Sequence, residues 1–391
     1  MVTADDPFRI LREELDAIAA AGLLRQRRIV DGKQQPLLHV NGESLLAFCS
    51  NDYLGLASHP ALIAAARNAI ENVGVGSGAS HLITGHHRLH QELETALAAF
   101  VGLPRALLFS TGYMANLGII SALAGRGDAI FADKLNHASL NDAAVLSRAD
   151  LHRYAHNDLA ALEHQLEKSE ARRKLVVTDA VFSMDGDLAH VPQLLGLCER
   201  HNAWLMLDDA HGFGVLGEHG RGALEHFNSC SPRIIYMATL GKAAGVSGAF
   251  VAGESDLIEY LMQTARTSIY TTAMPPALAA ATLAALPIMR DEPERRMQLR
   301  RLAEILRTEL RLKKWQLPPS ATPIQPLIIG SGEDALRASE KLREQGILVP
   351  AIRPPTVPHG TARLRITLSA AHTEEDIRRL IHAIHHAEAE A

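Results

Sequence analysis

Four short stretches hold residue types that could do chemistry. In Thr239-Leu240-Gly241-Lys242 a lysine follows a glycine just past an apolar run. A lysine held there could form a Schiff base with a carbonyl. A phosphate-loop lysine would need Gly at position 236 and Ser or Thr at 243, and these are Tyr236 and Ala243. Ala203-Trp204-Leu205-Met206-Leu207 runs straight into Asp208-Asp209-Ala210-His211-Gly212. An apolar strand ending in a carboxylate delivers that group to the ligand edge of a sheet, where it could keep a pyridine nitrogen protonated and make the ring an electron sink. Phe109-Ser110-Thr111-Gly112-Tyr113 reads as strand, turn and helix start. The exposed amides and positive end of such a helix favour a phosphate, with Tyr113 beside whatever carries it. His137, in Asn136-His137-Ala138-Ser139, sits at another strand-to-helix junction and could stack on a flat ring. Each piece alone has an ordinary explanation: a solvated lysine, a turn aspartate, a plain N-cap, a lone histidine among 20.

Two further patterns are decoys. Gly212-Phe213-Gly214-Val215-Leu216-Gly217 is a literal G-x-G-x-x-G, but Gly217, Gly220 and Gly222 keep breaking the helix that a nicotinamide site would need. His86-His87-Arg88-Leu89-His90 lacks the H-E-x-x-H glutamate, so no metal is expected there. The histidines of His382-Ala383-Ile384-His385-His386 read as a solvated helix face.

These residues require elements to position them. Seven strand candidates run over Ala106 to Phe109, Ala129 to Ala132, Leu151 to Tyr154, Leu175 to Asp179, Ala203 to Asp208, Ile234 to Ala238 and Gly248 to Ala252. Helical spacing falls between most of them, at Ala115 to Leu123, Leu140 to Leu146, Leu159 to Lys168 and Val191 to Glu199. Strand-helix alternation predicts a mostly parallel sheet covered on both faces, with ligands at the carboxyl ends of its strands. A helix over Arg9 to Leu24 and a small hairpin, Leu37 to Val40 and Leu45 to Phe48, precede it. Strands at Gln325 to Ile329, Leu348 to Ile352 and Ala362 to Leu368, with helices between and after them, predict a smaller C-terminal α+β domain. The expected division is 1–58, 59–275 and 276–391.

Composition narrows the function classes. The chain has 391 residues, 47% hydrophobic and 21% charged, which is globular. A net charge of −5 and 4% aromatic residues argue against nucleic acid or an anionic membrane as partner. Three scattered cysteines and an acidic Met1 to Leu15 without an apolar core point to a reduced, cytoplasmic setting with no secretory signal.

Taken together, the pieces resemble the α-oxoamine synthases, a family of fold-type I pyridoxal-phosphate (PLP) enzymes. The matching runs include Ser50-Asn51-Asp52-Tyr53-Leu54-Gly55-Leu56, Val181-Phe182-Ser183-Met184-Asp185-Gly186-Asp187 and Ile352-Arg353-Pro354-Pro355-Thr356, beside those already quoted. They stand in family order from about residue 10 to 380. The resemblance implies that Lys242 bonds pyridoxal 5'-phosphate and moves the substrate proton. Asp208 would pair with the ring nitrogen, His211 and Ser183 with the ring hydroxyl, and His137 with the ring face. Gly112, Tyr113 and Thr239 would hold the phosphate. Arg353 would bind the amino-acid carboxylate, and Arg25 and Thr356 the acyl substrate. The family also implies a homodimer with a shared site, Ile269-Tyr270-Thr271-Thr272 reaching the neighbour's phosphate. Within it, Arg353-Pro354-Pro355-Thr356 favours the branch that condenses L-alanine with pimeloyl-CoA, or a pimeloyl-carrier protein, with loss of CO2 in biotin biosynthesis. The branches using glycine or serine stand as alternatives. Leu240 and Gly76-Ser77-Gly78-Ala79-Ser80-His81 depart slightly from the family's commonest form and bear on fine specificity.

Overall fold

A computed structural model describes residues 6–391; the beginning of the Met1 to Leu15 stretch lies outside them. Seven strands form the central sheet, in the order Arg105–Phe109, Ala249–Gly253, Ile234–Thr239, Trp204–Asp208, Lys174–Asp179, Ala129–Asp133, Asp150–Tyr154. All are parallel except Ala249–Gly253, which runs antiparallel to both neighbours. Each strand expected from the sequence is there, within a residue or two.

The inner strands are apolar on both sides because both sides are covered. Period-two alternation sorts their side chains. Val176, Leu205, Leu207 and Phe250 enter one core; Leu175, Val177, Met206 and Val251 enter the other, where helices Gly112–Leu123, Ala138–Ser147 and Ser255–Thr264 pack. The parallel strands deliver their last residues to one edge. Asp133, Asp179, Asp208 and Thr239 all end there, with Asp179 directly beside Asp208 in the register.

Outside this sheet one expected element is redrawn. The stretch Leu348 to Ile352 is not one strand. Ile347–Leu348 runs parallel to Leu46 and Ala47 of the N-terminal hairpin, whereas Ala351–Ile352 joins Ile324–Gly330 and Ala362–Thr367 in a three-stranded antiparallel sheet. Pro350 separates the two pieces; it has no amide to donate, and its carbonyl accepts from Arg365. The first helix stops at Ala20, before Gly22 turns to φ +66°. A short π-helical turn, His81–Gly85, was not foreseen.

Candidate active site

The floor of the site is built on the strand ends. Asp208 is buried. One carboxylate oxygen accepts the Ala210 amide at 3.0 Å and the other accepts Asn116 Nδ2 at 2.8 Å. The same Asn116 amide donates to Ser139 Oγ at 2.8 Å, and Ser139 Oγ lies 2.7 Å from His137 Nδ1. Since Nδ1 also accepts the Ser139 amide at 3.2 Å, the Ser139 hydroxyl donates to it and the His137 proton sits on Nε2. The His137 backbone amide donates to Asp179 at 2.7 Å. Thus Asp208, Asn116, Ser139, His137 and Asp179 form one connected network.

Lys242 follows the Ile234–Thr239 strand and its amine lies deeper than the residue as a whole. Burial pulls that amine down to about 8, against the opposing pull of the Asp208 and Asp179 carboxylates. Those same neighbours explain Asp179, whose carboxyl is pushed well up by burial and by Asp208 beside it. Asp209 faces the other way, accepting Tyr236 Oη and the Ala223 amide at 2.7 Å each. Burial pushes its carboxyl up to about 7. His211 is buried near Lys242; burial, then the Lys242 charge, holds its imidazole well below the usual range, so it is neutral.

At the opposite rim, helix Gly112–Leu123 begins three residues earlier than the sequence suggested, because the Thr111 hydroxyl caps Met114 at 3.1 Å. Gly112 and Tyr113 therefore occupy its first turn, where amides have no intrahelical acceptor. A side chain on Gly112 would place its Cβ 2.6 Å from Thr239 Cγ2, so the glycine keeps the space between helix end and Thr239 open. The Thr239 hydroxyl donates to the Ala210 carbonyl at 3.5 Å. The Tyr113 hydroxyl bonds Asp142.

Lys242, Asp208, His211, His137, Thr239 and Gly112 are thus brought to one sheet edge. Ser183 joins through its carbonyl, which accepts Arg365 Nε at 2.5 Å. Arg25, Arg353 and Thr356 are not joined to this cluster by any hydrogen bond or ion pair among the described residues. Arg353 instead donates to the Gly22 carbonyl at 2.8 Å, across an open cleft between residues 20–23 and 332–336. The sequence reading missed Asn116, Asp179 and Arg365. Asp179 could have been found by the rule that singled out Asp208, and Arg365 by the unusual Arg363-x-Arg365 alternation in an apolar strand.

The glycine-rich run and the histidine run turn out differently. Gly212 to Gly217 is a turn and opens no helix. His86 and His90 gather with His81, their ring nitrogens within 4.8 Å of one another. His90 Nδ1 already accepts the His87 amide at 2.9 Å, and its Nε2 donates to the Met274 carbonyl at 2.8 Å, so both its nitrogens are engaged.

The site's donor set suits a phosphorylated pyridine aldehyde: an amine with a lowered pKa, a buried carboxylate at a strand end, and a glycine-lined helix N-terminus. Comparison with known proteins agrees. The family model for aminotransferase class I and II matches residues 43–384. The chain is similar to the 8-amino-7-oxononanoate synthase of Methylobacillus flagellatus, 65% identical over 97% of this chain and 96% of that protein. It is 61% identical to the Nitrosospira multiformis protein of the same name, over 95% and 93% of the two chains. Among solved structures it resembles serine palmitoyltransferase from S. paucimobilis with bound PLP-myriocin aldimine, with TM-score 0.92 and 29% identity over 100% and 99% of the chains. It also resembles 8-amino-7-oxononanoate synthase from Francisella tularensis, with TM-score 0.77 and 34% identity over 88% and 98%.

Proposed function

We infer the reaction from one premise: the chain belongs to the aminotransferase class I and II family, to the α-oxoamine synthases among its fold-type I PLP enzymes. Its cofactor is pyridoxal 5'-phosphate. Its activity is that of 8-amino-7-oxononanoate synthase, a decarboxylative acyl transfer to an amino acid in biotin biosynthesis. The observation that carries this reading is the Lys242 amine at the sheet edge, within electrostatic reach of the hydrogen-bonded Asp208 carboxylate. The amino acid is L-alanine and the acyl donor a pimeloyl thioester, on coenzyme A or a carrier protein.

Bound PLP supplies a conjugated ring that takes up the electron pair left at the amino-acid Cα when its proton or carboxylate departs. The protein does the rest. Lys242 carries the cofactor and, with an amine near pH 8, has enough free base near neutrality to accept the Cα proton and return it. Asp208 keeps a proton on the ring nitrogen; its two anchoring hydrogen bonds hold the carboxylate in place. His137, locked by Ser139, presents its ring face, and His211 and Ser183 serve the ring hydroxyl. The amides of Gly112 and Tyr113 and the Thr239 hydroxyl bind phosphate at the positive end of their helix. Arg353 pairs with the substrate carboxylate, while Arg25 and Thr356 receive the acyl donor. A homodimer with a shared site and a cytoplasmic location complete the proposal. No helix among the described residues is long and apolar enough to cross a membrane.

The test is a substrate panel. The purified protein should absorb in the visible when given PLP, lose that band with borohydride, and release CO2 fastest from alanine with a pimeloyl thioester. Preference for glycine or serine with another acyl thioester would move it to a different branch of the family.

A further inference from the structure

A layer of side chains behind His211 has no part in the roles given above. Tyr53 is fully buried, and its hydroxyl lies 2.6 Å from His211 Nδ1. It also lies 3.2 Å from Asn51 Oδ1. Asn51 Oδ1 has a second donor in Arg365 Nη1 at 3.3 Å, and Arg365 Nε is fixed on the Ser183 carbonyl at 2.5 Å.

The phenol has one proton and two possible acceptors, Asn51 Oδ1 and His211 Nδ1. The distances favour the imidazole. Chemistry does too. Arg365 is a donor only, and its charge lies near the Tyr53 phenol. It also satisfies Asn51. Burial pushes the Tyr53 phenol up to about 12, so it keeps its proton at every working pH. A neutral imidazole has one protonated and one bare nitrogen, and the bond made by one selects the state of the other.

We propose that Tyr53 is a positioning residue that holds His211 in the tautomer with Nδ1 bare and the proton on Nε2. On the reading given under the preceding heading, this makes His211 a hydrogen-bond donor to an anionic ring oxygen of the cofactor. The opposite tautomer would set a bare nitrogen against that oxygen and repel it.

The test reads the tautomer directly. The full-length protein, labelled with 15N-histidine, is measured by solid-state NMR with and without PLP, and His211→Asn assigns the signal. The wild-type chain should show a bare Nδ1 and a protonated Nε2. Tyr53→Phe, which retains the buried ring and removes the donor, should shift the His211 signals toward the Nδ1-protonated form. Asn51→Ala should leave them in place. A proton on Nδ1 in the wild type, an unchanged tautomer in Tyr53→Phe, or a switch in Asn51→Ala would each overturn the proposal. A wild-type chain that shows protonated Nε2 but gains no visible absorbance with PLP would uphold the relay and defeat the cofactor reading instead.

Discussion

The sheet edge around Asp208 and the cleft around Arg353 make a useful contrast. At the sheet edge, Asp208, His137 and His211 are held by the strand ends and a second layer of hydrogen bonds. Asp179 and Asp208 are register neighbours, Asn116 bridges Asp208 to Ser139, and Tyr53 backs His211. Burial perturbs the ionisable groups there, with the Lys242 amine at about 8. At the cleft, Arg353 is on a loop, Thr356 and Arg25 are exposed, and among the described residues the Arg353 side chain hydrogen-bonds only the backbone carbonyl of Gly22. A rigid, desolvated region suits bond making and proton transfer, where small displacements are costly. An open, loop-built region suits recognition of a long substrate.

The contrast predicts effects on turnover at the edge and on substrate affinity at the cleft. The largest belongs to Lys242→Ala. Turnover should fall at least about 10³-fold, as for loss of a covalent catalytic group, while circular dichroism and thermal unfolding stay close to wild type. Turnover that survives this change would break the assignment of the floor. Asp208→Asn should cost about 10²–10³-fold in turnover with PLP still bound. It should also lower the Lys242 pKa further, because the Asp208 charge now raises it. An unaltered pH profile for amine labelling would show that the two groups are not coupled.

A third effect is set by pH. Only the free base of Lys242 can react with the aldehyde. PLP uptake by the cofactor-free protein should therefore rise about tenfold per pH unit below pH 8 and level off above it. The midpoint is read from the rate at which visible absorbance grows. The sign follows from a base whose pKa burial has lowered: it is charged and unreactive at low pH, neutral and reactive above about 8. A midpoint near that of a free lysine would mean that the amine is solvated. The smallest effect is at the cleft. Arg353→Lys keeps the charge and loses the planar fork, so KM for alanine should rise about tenfold with kcat and cofactor absorbance little changed. A loss in kcat alone would erase the distinction between the two regions.

How much of this was legible beforehand varies with how local each signal is. The strands announced themselves because buried parallel strands are short apolar runs bounded by turns and helices. Lys242 and Asp208 were legible for the same reason, as polar residues directly after such runs. The Leu348 to Ile352 stretch looked like one strand, and its division between two sheets around Pro350 depends on partners distant in the sequence. The supports of the site were invisible for the same reason. Asn116 reads as a helix-interior polar residue and Arg365 as an odd charge in a strand until the fold brings them to Asp208 and Asn51.

The amino-acid order by itself determined the parallel sheet, the edge at which its ligand residues emerge, and the chemistry those residue types permit. These follow from local hydrophobic periodicity and strand length. The tertiary structure alone decided which carboxylate lies beside which, how far burial moves the Lys242 amine, and where the His137 and His211 ring protons sit. Those depend on desolvation and on hydrogen-bond partners up to hundreds of residues away in the chain.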